Sequence, residues 1–389
     1  MNLEAIQQAL AAEGIDGWLF FDHHGRDPLA YRVLGLPACR AGTRRWYYLI
    51  PASGEPRGLV HAIEPSALDG LPGAVSQYSS WSTQTEGLRR LLAGQRRVAM
   101  QYSPECAIPY VSMVDAGTVE LVRAAGVDVV SSADLVQQFE ARWTAANLAS
   151  HLEAGRRVDR IRREAFELVA ARLRAGDAIT EFAVKRFIRD GFAAAGLVTD
   201  HGPIVAVNEN SSNPHYEPEA EATREIRRGD WLLIDMWAKM DAPEGVYYDI
   251  TWTGYCGAEP PAEMASVFGV VTEARDRAVR FVQESVAAGR ALRGFEVDDV
   301  ARGAIRERGF AERFFHRTGH SIGAEVHGAG ANMDNLETHD ERRIIPWTCF
   351  SIEPGVYLPR FGVRSEVDVF VGDDDARVTG EVQDRIVLL

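Results

Sequence analysis

Two stretches of the chain each contain two apolar, strand-like runs separated by a polar turn. The first, WLLIDMWAKMDAPEGVYYDITWTGY, covers residues 231–255, and the second, FSIEPGVYLPRFGVRSEVDVFV, covers residues 350–371. In both, β-branched and aromatic residues lie on either side of a turn that contains proline and glycine, which is the pattern of a β-hairpin. In each hairpin, both strands carry an acid.

The acids are spaced so that they face each other within each hairpin. A simple register puts Asp235 nearly opposite Asp249, and Glu353 opposite Glu366, because the midpoint of each pair falls in the turn. Buried acids this close repel and raise one another's pKa unless a cation lies between them. Acids that point to solvent from half-exposed strands would need no cation. The matched placement in two hairpins favours a site for divalent ions, for which carboxylates are suitable ligands.

A third segment, FFHRTGHSIGAEVHG, adds His316, His320 and His327 among several glycines. A single imidazole beside four carboxylates is a common composition of a two-metal hydrolytic site. The alternative is that these histidines are structural or surface residues, which is the commoner case for any one histidine.

The same segment allows two other enzymatic interpretations. GHSIG matches the G-x-S-x-G pattern of serine esterases, with Ser321 as the nucleophile. That pattern requires a helix directly after the serine, whereas this chain continues with AEVHGAGANMDN. His316 and His320 have the spacing of the helical zinc motif H-E-x-x-H, but Arg317 replaces the glutamate and a glycine interrupts the supposed helix. A metal site built on the acids therefore remains the stronger hypothesis.

With 389 residues the chain is long enough for two domains. Helical segments alternate with short apolar runs in the first part, which predicts an α/β domain over residues 1–142. Residues 143–389 form the predicted second domain, which opens with a long helix from Thr144 to Ala175 and a further helix capped by Thr180. The other predicted elements are helices at 3–13, 86–92, 116–125, 261–289 and 297–309 and strands at 17–21, 46–50, 97–100 and 128–130.

Composition excludes several classes of partner. The net charge of -14 gives no basic surface for nucleic acid, and no apolar run approaches the roughly 20 residues that span a bilayer. The N-terminus has the spacing of an amphipathic helix rather than a signal peptide. The cysteines include no C-x-x-C pair, which favours a reducing cytoplasm; they are Cys39, Cys106, Cys256 and Cys349.

Together these blocks resemble the pita-bread metallopeptidases, the family of prolidase, aminopeptidase P, methionine aminopeptidase and the metal-free creatinases. The resemblance covers residues 145–389 and, more weakly, the N-terminal domain, so it implies an α/β domain followed by an α+β pita-bread catalytic domain. The matching blocks are NPHY at 213–216, LLID ending at Asp235, YYDITWT around Asp249, TGHSIG around His320, then His327, SIEPGVY around Glu353 and GVRSEVD around Glu366.

The resemblance implies a ligand set for two divalent ions, which would be manganese, cobalt or zinc. Asp249 and Glu366 would bridge the ions, Asp235 would complete one site, and His320 and Glu353 would complete the other. Glu353 would also act as the general base.

The resemblance also implies that His215 and His327 line the substrate and stabilise the tetrahedral intermediate. His316 and Arg364 would lie near the far side of the substrate. Arg364 precedes Glu366 by two residues and so faces the same side of its strand. It is our candidate to bind the carboxylate of a dipeptide; the alternative is that it only neutralises the acids.

Three departures from the family pattern concern the substrate contacts rather than the ligands. Trp252 replaces the arginine of the usual D-x-T-R-T block, and Gly328 replaces a glutamate that often follows the second histidine. The spacing between the first two ligands is also longer than is common.

The predicted activity is hydrolysis of the bond before proline, favoured as an Xaa-Pro dipeptidase, with an Xaa-Pro aminopeptidase acting on longer peptides as the alternative. The N-terminal domain makes methionine aminopeptidase the weaker interpretation. Metal-free hydrolysis, or a non-enzymatic peptide-binding module, should have lost ligands that this chain keeps. The resemblance favours a homodimer.

Overall fold

A computed structural model describes residues 1–37 and 42–389, and it divides into two compact units, Met1–Glu140 and Ala141–Leu389. This division falls close to the domain boundary predicted between residues 142 and 143. In the described ranges, no helix combines the length and the apolar character needed to cross a membrane. Cys106, Cys256 and Cys349 carry free thiols; Cys39 lies outside the described residues.

The N-terminal unit is an α/β domain, as predicted. Its strands, numbered along the chain, form one sheet in the spatial order fourth, third, second, first, fifth and sixth, and the first strand is parallel to the fifth and antiparallel to the second. The helices of this unit are α1 (Leu3–Ala12), α2 (Pro28–Leu34), α3 (Trp81–Leu91), α4 (Ala116–Arg123) and α5 (Ala133–Val136), and the strands are β1 (Gly17–Asp22), β2 (Trp46–Pro51), β3 (Arg57–His61), β4 (Ala74–Tyr78), β5 (Arg97–Met100) and β6 (Asp128–Ser131).

Sequence patterns missed part of this unit. Strand β4 was not predicted because it is an edge strand whose residues are almost all exposed, so it shows no apolar alternation. Helix α3 starts earlier than predicted because Ser80 and Thr83 form a reciprocal capping box at its first turn.

The C-terminal unit combines long helices with several small sheets. Its helices are α6 (Ala145–Ala175), α7 (Glu181–Ala194), α8 (Ala262–Ala287) and α9 (Gly294–Glu307), and its strands are β7 (Leu197–Val198), β8 (Ile204–Val207), β9 (Trp231–Met240), β10 (Tyr248–Tyr255), β11 (Ser321–Ile322), β12 (Thr348–Ile352), β13 (Gly355–Leu358), β14 (Phe361–Arg364), β15 (Val367–Val371), β16 (Ala376–Val378) and β17 (Val387–Leu388).

Capping residues lie at both ends of α6 and at the start of α7, and the structure confirms the predicted end of α6 and the predicted cap Thr180 of α7. Thr144 caps α6 in a capping box with Asn147, and Gly176 ends that helix in the left-handed conformation with φ 75°. The Thr180 side chain accepts the Ala183 N–H at the start of α7. Because these signals lie within a few residues of the helix ends, both helices could be predicted from the sequence.

Two sheets meet at the centre of this unit. Strands β17, β10, β9 and β7 form one sheet, with β8 also paired to β9, and β11, β12, β15 and β16 form the other. The Glu366 N–H donates to the Thr251 carbonyl, and the Asp249 N–H donates to Asp368 Oδ2 at 2.9 Å. These bonds join the two sheets at the positions where the predicted ligands lie.

His151 of α6 lies fully buried in the core of the same unit. Its Nδ1 donates to the Tyr247 carbonyl at 2.7 Å, and its Nε2 lies 2.7 Å from Thr379 Oγ1. Burial lowers the pKa of His151 from 6.5 to about 4, despite the opposing bond to Tyr247. The ring is therefore neutral in the folded protein at neutral pH.

This buried imidazole should make stability fall in mild acid. The unfolded chain binds the proton more readily than the folded protein, so stability is lost as the pH falls from about 6.5 toward 4. Between pH 7 and pH 5 the wild type should lose about 2 kcal/mol more unfolding free energy than His151→Gln. Denaturant unfolding at both pH values measures this difference, and parallel losses in the two proteins would contradict the prediction.

Candidate active site

The first acidic hairpin is formed by β9 and β10, and its register differs from the predicted one. Asp235 pairs with Thr251, and Asp249 pairs with Trp237. The two acids are therefore offset by two residues along the strands instead of lying nearly opposite each other. The strand pairing is centred on residue 243, one residue after the midpoint of the two acids, and the turn contains a hydrogen bond from the Gly245 N–H to the Ala242 carbonyl. Because the offset is even, both carboxylates still lie on one face of the sheet.

The second hairpin has the predicted register. Ile352 pairs with Val367 on one side of the acids, and Gly355 pairs with Arg364 on the other. Glu353 and Glu366 therefore occupy opposite positions in the short gap between the two ladders. At these two positions the backbones make no hydrogen bonds of the β-ladder between the two strands. Their side chains point toward the first hairpin.

His320 joins these acids from the segment before β11. Its Nε2 lies 3.3 Å from Glu353 Oε1 and 3.6 Å from Asp249 Oδ2. Asp249, His320 and Glu366 are all buried and each offer a ligand atom within 4.8 Å of the others, so this trio could hold a metal ion. The structure thus brings together residues that are far apart in sequence.

Burial raises the pKa of each acid in the cluster, and repulsion between carboxylates adds to it at Asp249, Glu353 and Glu366. Burial is the largest cause at Asp235, Asp249 and Glu366, and neighbouring carboxylates add to it at the last two. The pKa of Glu353 rises to about 7 for the same reasons, partly offset by Arg364. Such a cluster is costly without a cation, since several acids must be protonated to coexist.

The donor set fits a divalent ion. Asp249 Oδ1 and Glu366 Oε1 are buried and have no hydrogen-bond partner, an unfavourable state that a bound cation would relieve. Burial keeps the pKa of His320 well below its usual value, so the ring is neutral, as a metal ligand must be. Carboxylate and imidazole donors suit manganese, cobalt or zinc.

Arg364 lies inside the acid cluster rather than at a free surface. It is 3% exposed, its Nη2 donates to Asp235, and its Nε donates to Thr251 Oγ1 at 3.0 Å. Its Nη1 lies 3.4 Å from the Tyr357 hydroxyl. This placement matches the alternative in which Arg364 neutralises the acids, whereas binding a substrate carboxylate stays a prediction.

The three remaining predicted histidines surround the cluster. His316 is half-buried, and its Nε2 lies 2.7 Å from the Tyr357 hydroxyl. The His327 ring stands edge-on to His320, with 4.4 Å between their centroids. His215 is exposed, and its charge would lower the pKa of Asp235. Their roles toward substrate stay predictions.

Three polar residues that the sequence analysis missed hold the predicted site residues in place. The Ser351 hydroxyl accepts the His320 N–H at 3.0 Å and donates to Glu353 Oε1 at 3.2 Å. The Thr251 hydroxyl donates to Glu366 Oε2 at 2.7 Å, and Asp368 accepts the Asp249 N–H. The available signal was polarity itself, because these residues interrupt otherwise apolar strands.

The structure accounts for Trp252, which replaces the family's usual arginine. Because side chains alternate along β10, Trp252 faces away from the side that carries Thr251 and the acids. The Arg162 guanidinium of α6 lies 3.4 Å above the centre of the Trp252 ring. The exchange therefore leaves the acid cluster itself unchanged.

Neither alternative enzymatic interpretation agrees with the structure. Ser321 lies in β11 with its hydroxyl buried and accepting the Gly330 N–H at 3.0 Å, and the residues after β11, all described, continue as turns and bridges to Trp347. The helix that a nucleophile elbow needs is therefore missing from this part of the chain. His316 and His320 lie in extended and turn structure rather than on a helix, which excludes the H-E-x-x-H geometry.

The sequence model of metallopeptidase family M24 matches residues 150–373, the stretch that carries the whole acid cluster. The chain belongs to this metallopeptidase family. As a member of family M24 it has the pita-bread fold in its C-terminal unit, which confirms the predicted fold and enzyme class.

Individual relatives of this M24 chain are dipeptidases by name. It is 27% identical over 353 residues to the probable dipeptidase PepE of Mycobacterium tuberculosis, which covers 89% of this chain and 86% of the relative. It is 31% identical over 175 residues to the Xaa-Pro dipeptidase of Pyrococcus furiosus, with 45% of each chain covered. The crystal structure of dipeptidase PepE from Mycobacterium ulcerans superposes with a TM-score of 0.72 at 25% identity, covering 99% of this chain and 96% of that one.

Proposed function

We propose that the protein hydrolyses the peptide bond before proline, mainly in Xaa-Pro dipeptides, with two divalent ions bound in the acid cluster. The observation that carries the proposal is the buried group of Asp249, His320 and Glu366, which could hold an ion, in a family M24 chain similar to an Xaa-Pro dipeptidase. Glu353 contacts His320 at 3.3 Å, and Asp235 lies on the same face of the sheet as Asp249, which gives five proposed ligands. The five are Asp235, Asp249, His320, Glu353 and Glu366, and the ions are manganese, cobalt or zinc.

Each proposed step assigns a task to a side chain of this protein. A bound pair of ions supplies Lewis acidity and lowers the pKa of water in the site. Glu353 accepts the proton of the attacking water and passes it to the leaving nitrogen of proline. Ser351, whose hydroxyl bonds to Glu353 Oε1, keeps that carboxylate oriented.

The surrounding histidines stabilise charge and hold the substrate. Burial lowers the pKa of His327 to about 4, so its ring is neutral at pH 7 and retains one N–H to donate to the developing oxyanion. His215, exposed beside the cluster, contributes a second donor. His316 and Arg364, both within reach of the Tyr357 hydroxyl, lie on the side proposed for the substrate's carboxyl end.

Peptide length separates the proposed dipeptidase from an aminopeptidase. We expect metal-reconstituted protein to cleave an Xaa-Pro dipeptide faster than its C-terminal amide or an Xaa-Pro-Xaa tripeptide, and a chelator to stop cleavage. If Arg364 binds the terminal carboxylate, Arg364→Lys should reduce the preference for the free dipeptide over the amide and the tripeptide while metal content is unchanged. The reason is that a lysine ammonium lacks the planar pair of N–H donors of a guanidinium. Steady-state kinetics with metal analysis measures both quantities.

Two outcomes would overturn this assignment. Equal or faster cleavage of the tripeptide by wild type would favour an Xaa-Pro aminopeptidase. Full activity after exhaustive chelation would remove the role of the ions.

The proposal extends to the setting in which the enzyme works. We infer a cytoplasmic homodimer without nucleic-acid or membrane partners, supported by the acidic net charge of -14 and by the family resemblance. Sedimentation analysis of the purified protein tests the assembly.

A further inference from the structure

A short loop at residues 199–203 lies beside the acid cluster. It leads into β8, whose first residue, Ile204, pairs with Asp235. Strand β9 also pairs with β10 along its opposite edge, and there Trp237 of β9 pairs with Asp249 of β10. Directly paired residues point to the same face of a sheet, so Ile204 and Trp237 share the face that carries both carboxylates.

The Trp237 indole is the surface on which this loop rests. Its Nε1 donates to Asp200 Oδ1 at 2.8 Å, and the His201 ring meets it edge-on at 5.0 Å between centroids. A Cβ on Gly202 would lie only 2.6 Å from the indole, so the backbone must touch the ring there. Trp237 thus fixes the Asp200 carboxylate near the acid cluster.

Asp200 presents a negative charge to solvent at this position. The bonds from the Trp237 indole N–H and from the His201 N–H both end on Oδ1, and 47% of the side chain is exposed. Partial burial opposes ionisation, but these bonds outweigh it and keep the pKa of Asp200 below its usual range. Asp200 is also near enough to His327 to raise its pKa, against the larger effects of burial and Arg317.

We propose that Asp200 selects substrates whose residue before the scissile bond carries a cationic side chain. This inference rests on the proposed function. In an Xaa-Pro dipeptide the only charged group on the proline is its carboxylate, which Asp200 repels. The α-amine is present in every substrate, so it cannot distinguish one substrate from another. A lysine or arginine side chain on Xaa is therefore the group by which a fixed carboxylate can discriminate.

The test compares Lys-Pro with norleucine-Pro, whose side chains have matched lengths and differ in charge. The alanine pair, Lys-Ala and norleucine-Ala, is measured in parallel. Wild type should favour lysine by about three- to five-fold in kcat/KM, the scale of an exposed ion pair. Asp200→Asn, which keeps an acceptor for the Trp237 N–H, should lower the ratio to about one. Asp177→Asn, an exposed exchange with the same change in net charge, should leave it unchanged.

Salt gives a second measurement that needs no variant. The preference of wild type for lysine should shrink as ionic strength rises, since charges at an exposed position are screened. Equal cleavage of the lysine and norleucine peptides by wild type, or a preference that survives in Asp200→Asn, would overturn the role of Asp200.

The four peptides also separate this inference from the proposed function. Cleavage of the alanine pair but not of the proline pair would contradict proline specificity, while the lysine ratio would still test Asp200. A metal-loaded protein that cleaves none of the four would contradict both proposals.

Discussion

Glu366→Gln should lose binding of both proposed ions and at least about 100-fold in kcat/KM, because even the outer partners of metal ligands are worth about 10- to 100-fold. Glu366 is 2% exposed, faces Glu353 across the hairpin, and has an unpartnered Oε1 beside Asp249. An amide of the same size keeps the shape of the side chain but removes the charge that would be shared by two ions. Metal analysis of the dialysed protein, together with steady-state kinetics, measures the loss.

The same variant should have an opposite effect on the metal-free protein. In metal-free wild type the raised pKa of Glu366 means that folding must either bury its charge beside Asp249 and Glu353 or bind a proton there, and both cost stability. A neutral glutamine avoids this cost, so metal-free Glu366→Gln should unfold at a higher temperature than metal-free wild type. Added metal should stabilise wild type by about 2.7 kcal/mol per site at 100-fold its Kd and leave the variant nearly unchanged. Glu263→Gln, an exposed exchange in the same unit, should behave as wild type. Two ions per chain in Glu366→Gln would contradict the bridging role.

His320→Ala and Ser321→Ala should differ sharply in activity although the two residues are adjacent. His320 Nε2 lies between Glu353 and Asp249, so its loss removes a proposed ligand, and we expect activity to fall by more than about 100-fold. The Ser321 hydroxyl instead accepts the Gly330 N–H. Ser321→Ala should therefore keep activity within about three-fold, while the protein loses about 1–3 kcal/mol of stability because the Gly330 N–H is left without this acceptor.

Activity and unfolding measured on both variants test this contrast. A serine esterase would show the reverse pattern, with Ser321→Ala inactive and His320→Ala active. Metal content gives an independent check, because only the histidine variant should bind less.

Buried charge is concentrated at this site for a reason that sequence patterns only partly reveal. The cluster contains an arginine as well as the acids, and Arg364 bonds directly to Asp235. One arginine cannot balance four neighbouring carboxylates, and the remaining imbalance is what makes divalent ions the natural complement.

Local features of this protein follow directly from its sequence. Alternation and turn residues fixed the register of the second hairpin, so Glu353 and Glu366 lie opposite each other as predicted. The Thr144 side chain caps the start of α6, and Gly176 ends that helix because its backbone adopts the left-handed conformation. These features depend on hydrogen bonds and steric preferences among near neighbours, which a short window of sequence contains.

Which of these local features come into contact depends instead on tertiary packing. The strand pairing of the first hairpin is centred on residue 243 rather than on the midpoint of its two acids, and the approach of His320 to Asp249 depends on how two sheets pack. The hydrogen bonds that Arg364 donates to Asp235 and that Trp237 donates to Asp200 likewise join residues that are distant in sequence. Such contacts depend on the geometry of packing between elements, and residue spacing along the chain does not specify that geometry.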